Sequence, residues 1–289
     1  MKYVILILKG FLFGIANLIP GVSGGTMAVI TGVYEDFLES INHFFQDFRR
    51  SVSFLLPYGI GIITAILLGS RLIAKCLEVV PIPTMSLFIG FIAGGVPVLY
   101  RPIQKNFQIK NICIFLGAVT LVLIFLFLPT ADKSATDLQP YEYILLLASG
   151  FLASVAMVLP GISGMMIFML FGYYQTLMNA LSGLLKASTL WHSLTILIPI
   201  AIGVLLGLFT ACRIFSHLLK KYPKQSYFAI LGFVIASMIC VFYKMLAYEF
   251  QIVQGIVGLI MVLLGFCITY YLSKLNQRKE QALPTMDKK

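Results

Sequence analysis

The chain predicts an all-α polytopic membrane protein built from two inverted-topology repeats of about five segments each, with broken or re-entrant helical hairpins. Three observations predict it. Hydrophobic residues make up 60% of the 289 and charged residues only 11%. A soluble domain carries roughly a quarter charged residues, so this chain has too little polar surface to cover a water-soluble globule. Its apolar runs are also far longer than the alternating strands of a membrane barrel. Finally, one glycine-broken stretch occurs twice. Gly10-Phe11-Leu12 opens a run that reaches Pro20-Gly21-Val22-Ser23-Gly24-Gly25-Thr26 and then Gly32-Val33-Tyr34. About 140 residues later, Gly150-Phe151-Leu152 opens a run that reaches Pro160-Gly161-Ile162-Ser163-Gly164 and then Gly172-Tyr173-Tyr174.

The elements follow in order. Apolar runs cover roughly 3–19, 24–42, 52–75, 84–100 and 110–129, then 141–159, 164–184, 193–219, 226–246 and 250–273. The first repeat is 1–130 with its motif at 17–26, and the second is 141–275 with its motif at 160–164. The polar stretch 131–140 links them on the outside, and 276–289 is a cytoplasmic tail, all within one transmembrane domain. Beyond the motif, Pro57 matches Pro199, Gly61 matches Gly203, Arg71 matches Arg213, Pro81 matches Pro223 and Gly90 matches Gly232. Prolines, glycines and an arginine recurring in one order are not chance apolar similarity.

An odd number of segments per repeat makes the second repeat enter from the opposite side. Arg49, Arg50, Arg101, Lys105, Lys110, Lys220, Lys221, Lys224, Lys274, Arg278 and Lys279 then fall on the side of the N-terminus. The positive-inside rule places that side, and both termini, in the cytoplasm. The first two segments of each repeat form either two full spans or one hairpin turning back at mid-membrane. The hairpin is the expectation, because both motif flanks are too apolar for a solvated loop. Irregular backbone at that depth has to be buried in protein or line a wet cavity.

The net charge of +10 would suggest nucleic acid in a soluble protein, but here it is what basic cytoplasmic loops produce. The reading therefore has no nucleic-acid partner. Cys76, Cys113, Cys212, Cys240 and Cys267 are scattered, as are His43, His192 and His217, and no spacing suggests a metal site. Lys2 and the first run lack a small-residue cleavage pattern, so they read as the first membrane segment.

The motif carries the chemistry. Proline stops the incoming helix, and the glycines allow close approach of backbone to a ligand. Ser23 or Thr26 is placed to cap the outgoing helix. Unpaired N–H groups and the positive helix end then point into one place, which suits an anion and phosphate above all. The bland alternative is a tight turn with small-residue packing. Two copies meeting at a pseudo-two-fold favour a site, at which substrate binding falls to Asn17, Gly21, Ser23, Gly24, Gly25 and Thr26. Gly161, Ser163 and Gly164 contribute from across. The second copy is poorer, with Met157 in place of Asn17 and Met165-Met166 in place of Gly25-Thr26.

Arg71 and Arg213 sit toward the ends of long apolar runs, where a charge needs a partner or a task. Two readings stay open for them, contact with the phosphate and snorkelling to the interface. Lys9 either pairs with an acidic group, attracts an anion or sits among cytoplasmic headgroups. Glu35, whose equivalent is Gln175, is the candidate proton-coupling carboxylate, unless its helix has already reached water.

These residues are the ones that carry a resemblance. The stretch Gly14-Ile15-Ala16-Asn17-Leu18-Ile19-Pro20-Gly21-Val22-Ser23-Gly24-Gly25-Thr26, with Pro160-Gly161-Ile162-Ser163-Gly164, resembles the bacterial and archaeal polyprenyl-phosphate transporter family. The resemblance covers almost the whole chain. It implies a flippase that returns undecaprenyl phosphate, the carrier lipid of cell-envelope synthesis, across the cytoplasmic membrane. It also implies an inverted-repeat bundle with re-entrant hairpins. Met165-Met166 departs from the motif.

The physics of such a task fits the chain. A phosphate head does not cross about 30 Å of hydrocarbon unaided. A polar crossover of two hairpins shields the head while the tail stays in lipid, and rocking of the repeats gives alternating access. No catalytic residue, metal or cofactor is expected; the one small species the reading admits is a coupling proton or sodium ion. The rival enzyme is an undecaprenyl-pyrophosphate phosphatase, whose similar motif carries an arginine after the serine and paired glutamates upstream. Here Gly24 or Gly164 follows the serine and no acidic pair precedes either copy. Phosphoryl chemistry needs both kinds of group. A small-anion transporter is the third reading.

Overall fold

The computed structural model describes residues 2–17, 23–104, 107–127, 139–183, 188–249 and 251–282. Gly21, most of the 131–140 linker and the end of the tail lie outside the described residues. Within them the chain forms twelve helices: α1 (Lys2–Asn17), α2 (Gly24–Ile30), α3 (Tyr34–Asn42), α4 (Phe48–Val79), α5 (Pro81–Tyr100) and α6 (Ile109–Phe127), then α7 (Pro140–Val158), α8 (Gly164–Phe171), α9 (Tyr174–Gly183), α10 (Leu190–Lys221), α11 (Pro223–Met245) and α12 (Ile252–Ala282). Each half has six helices where about five segments were expected. The runs 24–42 and 164–184 each divide, because Gly32 and Gly172 take φ of 66° and 78°, which ends a right-handed helix.

Local chemistry sets the other ends. Asp47 accepts a hydrogen bond from the Arg50 amide at 3.2 Å and caps α4. Pro81, Pro140 and Pro223 open their helices at the first turn, where a missing N–H costs nothing. The Glu142 side chain reaches back to the Gln139 amide at 2.8 Å at the start of α7. α7, α10, α11 and residues Ile252–Tyr271 of α12 are long and apolar enough to cross a membrane. Their outward faces carry exposed large apolar side chains such as Ile198, Leu205, Leu259 and Leu263, as lipid-facing surfaces require. The chain is a helical membrane protein.

Packing repeats between the halves. α1 lies on α4 as α7 lies on α10. In the first pair Gly10 faces the Tyr58 carbonyl and Gly61 the Ile7 carbonyl; in the second, Gly150 faces the Ile200 carbonyl and Gly203 the Leu147 carbonyl. These are the same positions in the two repeats, and no side chain larger than hydrogen fits them. The sixth helices are exchanged: α12 packs on α5, and α6 packs on α11. Gly90 faces the Val262 carbonyl in one such seam and Gly232 the Phe115 carbonyl in the other. Each half therefore completes the other.

Candidate functional site

The site is built where the two motifs meet. α7 ends at Val158, and the chain turns through Pro160 and Gly161 before α8 begins at Gly164. Gly161 has φ of 92°, and a Cβ there would meet the Phe233 carbonyl at 2.7 Å, so only glycine makes this turn. The start of α2 lies against it. A Cβ on Gly25 would meet the Met157 carbonyl at 2.8 Å and the Leu159 carbonyl at 3.1 Å. The Ser23 hydroxyl donates to the Leu159 carbonyl at 3.4 Å.

Thr26 is the centre of this contact. It is fully buried, and its Oγ1 accepts the Gly161 amide at 2.8 Å. Its Oγ1 also lies 3.2 Å from Ser237 Oγ. Ser237 donates its own proton to the Phe233 carbonyl at 3.0 Å. A hydroxyl has one proton, so Thr26 must be the donor to Ser237. One directed chain of hydrogen bonds thus runs from the second motif through the first motif into α11.

This corrects one expectation. Ser23 stands at the N-cap of α2, yet neither its hydroxyl nor that of Thr26 caps the helix. Both are turned across to the other half, because burial leaves each hydroxyl only the partner packed against it. Ser163 at the start of α8 also makes no side-chain cap bond. Ser237 was missed from the sequence. Its only signal was a hydroxyl inside an apolar helix, and nothing local says that a threonine of the first repeat is its partner.

The groups left to meet a ligand are fewer than the motif suggests. Asn17 is exposed and donates one amide proton to the Phe13 carbonyl at 2.9 Å, which leaves the second. Asn17 also lies against Gly24, where a Cβ would strike Asn17 Nδ2 and Phe13. Ser163 and Gly164 are half-buried, and the first amides of α8 have no partner within their helix. On the second copy Met157 and Met165 are 38% and 44% exposed, so thioethers stand where the first copy has polar groups.

The outlying candidates separate from the crossover. Lys9 is buried at 3% exposed, and its charge acts on Asp36. Glu35 is exposed at the start of α3 and accepts the Tyr227 hydroxyl of α11 at 2.9 Å. One turn on, Glu39 pairs with Lys220 of α10 at 3.0 Å. Arg213 is exposed in a cleft of about 760 Å³ between α10 and the turn after α3, and none of the described motif residues lines that cleft. The side chain of Arg71 lies outside the described residues. Among the described residues no three His, Cys, Asp or Glu side chains gather as a metal site would need.

Fold and crossover together define a helical membrane protein whose two glycine-broken segments interlock across a repeat. Residues 13–254 match the family model described as undecaprenyl phosphate translocase-like, and the chain belongs to that family. The resemblance carried by the first motif is borne out. A polyprenyl-phosphate transporter of Staphylococcus aureus is 33% identical over 280 residues, covering 95% of this chain and 97% of the relative. One of Vibrio cholerae is 32% identical over 252 residues, covering 82% of this chain and 77% of the relative. No solved structure matches the chain.

Proposed function

We propose that the chain transports a polyprenyl phosphate, undecaprenyl phosphate in the first instance, across the cytoplasmic membrane, with the phosphate bound at the motif crossover. The observation that carries this reading is the hydrogen-bonded contact of Thr26 and Ser23 with residues 159–161 of the other repeat. It joins the start of α2, against which Asn17 packs, to the turn that leads into α8. The names of the two relatives support the substrate class.

In this reading each motif turns back within the membrane, since α2 and α8 have only 7 and 8 residues and reach about 10–12 Å of a ~30 Å core. The repeats are inverted and both termini are cytoplasmic. The Glu39–Lys220 contact supports that orientation by setting the end of α10 beside α3, so Lys220 and Lys221 lie on the same side as Arg49 and Arg50 at the start of α4. The repeats rock about the crossover and expose the phosphate to each face in turn. A proton or sodium ion drives the cycle, and Glu35 is the carboxylate assigned to a proton. No hydrolysis occurs, because neither motif supplies the cation and base that phosphoryl transfer needs.

The test is reconstitution in vesicles with fluorescent polyprenyl monophosphate, pyrophosphate and alcohol, scoring lipid reaching the far leaflet and phosphate released. Movement of the monophosphate alone, with no release, is the expected result. Release from the pyrophosphate would make the protein a phosphatase, and flux of inorganic anions without lipid movement would make it a small-anion carrier.

A further inference from the structure

We propose that the cleft holding Arg213 is a docking site for the phosphate head of an anionic membrane lipid, separate from the motif crossover. Arg213 and His217 stand one helical turn apart on α10, and Asn42 and Gln46 face them from the end of α3 and the turn after it. Arg213 has no acidic partner among the described residues, although Lys220 nearby on the same helix has Glu39. An unpaired guanidinium with an imidazole and two amides beside it is a set of donors, and its complement is a phosphate.

The walls decide between a free anion and a lipid. Phe45 and Phe209 stack across the cleft at 5.8 Å between ring centroids, and Ile214 and Leu218 extend the apolar side. A site for a fully hydrated anion has no use for that surface, whereas the first carbons of a lipid chain do. The volume of about 760 Å³ exceeds what a phosphate alone fills. Arg213 lies eight residues before Lys221 at the end of α10, about 12 Å at ~1.5 Å per residue. With Lys220 and Lys221 set among the headgroups by the positive-inside rule, that depth falls just inside the headgroup layer of a helix long and apolar enough to cross the membrane. The sequence repeat puts Arg71 and Lys75 at the positions equivalent to Arg213 and His217. Each half thus carries an arginine followed one turn on by a second nitrogen-bearing side chain, at the same place on its long fourth helix.

The inference needs only the membrane setting of α10 and stands whether or not the crossover binds polyprenyl phosphate. The experiment is native mass spectrometry of the full chain in detergent with dioleoyl phosphatidic acid, which has a phosphate monoester but no prenyl chain. Phosphatidylcholine and millimolar inorganic phosphate are the comparison arms. The expected result is retention of phosphatidic acid over phosphatidylcholine, weakened roughly tenfold by Arg213→Gln and partly restored by Arg213→Lys. Asn17→Ala retains the phosphatidic acid, which separates this site from the crossover. Equal retention by Arg213→Gln overturns the proposal, as does displacement of the lipid by inorganic phosphate. Arg213 is exposed with no acidic partner among the described residues, so its substitution leaves the fold intact, and a melting curve identical to the parent confirms that the loss is one of binding.

Discussion

Replacing Thr26 by valine tests the clasp between the repeats. The two side chains have nearly the same volume, so the site gains no cavity and the change removes hydrogen bonding alone. Thr26 is fully buried; it accepts from the Gly161 amide and donates to Ser237. A made hydrogen bond contributes about 0.5–1.5 kcal/mol net, and a buried group left unpaired costs about 1–3 kcal/mol. Hydrogen bonds between helices in a bilayer tend to the low end, averaging ~0.6 kcal/mol. The Gly161 amide loses its acceptor outright, so we predict a cost of about 2 kcal/mol, concentrated on that amide. Its hydrogen exchange should then quicken roughly 30-fold. Ser237→Ala leaves the Gly161–Thr26 bond in place and should cost less. The double variant should cost less than the two singles together by about 0.5–1.5 kcal/mol, because the bond they share is removed once. Hydrogen exchange on the purified protein measures the first quantity, and unfolding in mixed detergent measures the cycle. Additive costs, with exchange at Gly161 unchanged in Thr26→Val, would show that the two motifs are not joined through this hydroxyl.

The remaining predictions use other parts of the molecule. Gly61→Ala drives a methyl into the Ile7 carbonyl and the Phe11 amide, so the α1–α4 seam should open at a cost of about 2 kcal/mol or more. Gly117→Ala has nothing within 4 Å and should gain up to ~1 kcal/mol; thermal unfolding of the pair reads both signs. Asn17→Ala should weaken binding of polyprenyl phosphate about tenfold while leaving melting unchanged, and titration calorimetry with the solubilised lipid checks it. Lys220→Ala removes an ion pair whose side chains are 62% and 44% exposed. It should therefore change stability by at most ~0.5 kcal/mol, whereas a drop of several kcal/mol would mean that this contact holds the halves together. Glu35→Gln should flatten the pH dependence of transport in vesicles, and an unaltered profile removes Glu35 from proton coupling.

Much of the fold was legible because it is written in short-range patterns. Long apolar runs define the spans, and Pro81 and Pro223 open α5 and α11 at matching places in the repeats. The divided segments were less legible. Gly32 and Gly172 were visible as residues, but whether a glycine in an apolar run ends a helix depends on the φ it takes. At the site, the sequence marked the motif and the poverty of its second copy, and Met157 and Met165 do stand exposed there. The expected caps failed for a definite reason. A serine or threonine at a helix start bonds whichever acceptor or donor is nearest, and in a dry interior that is the neighbouring segment and not its own turn.

The sequence by itself therefore determined what kind of molecule this is: helical, membrane-embedded, duplicated and broken twice by the same motif. Composition and periodicity are local properties, and they suffice for those statements. Tertiary structure alone decided the partners. Ile252–Tyr271 of α12 and most of α6 are strongly apolar, so composition does not say which helix each meets, and the choice of the other half's fifth helix rests on the glycine seams at Gly90 and Gly232. Only the fold turned Thr26 toward Gly161 and Ser237 and set Arg213 in a cleft apart from the motif. A side chain's chemistry is fixed by its identity, but what it does depends on which distant segment packing brings within about 3 Å of it.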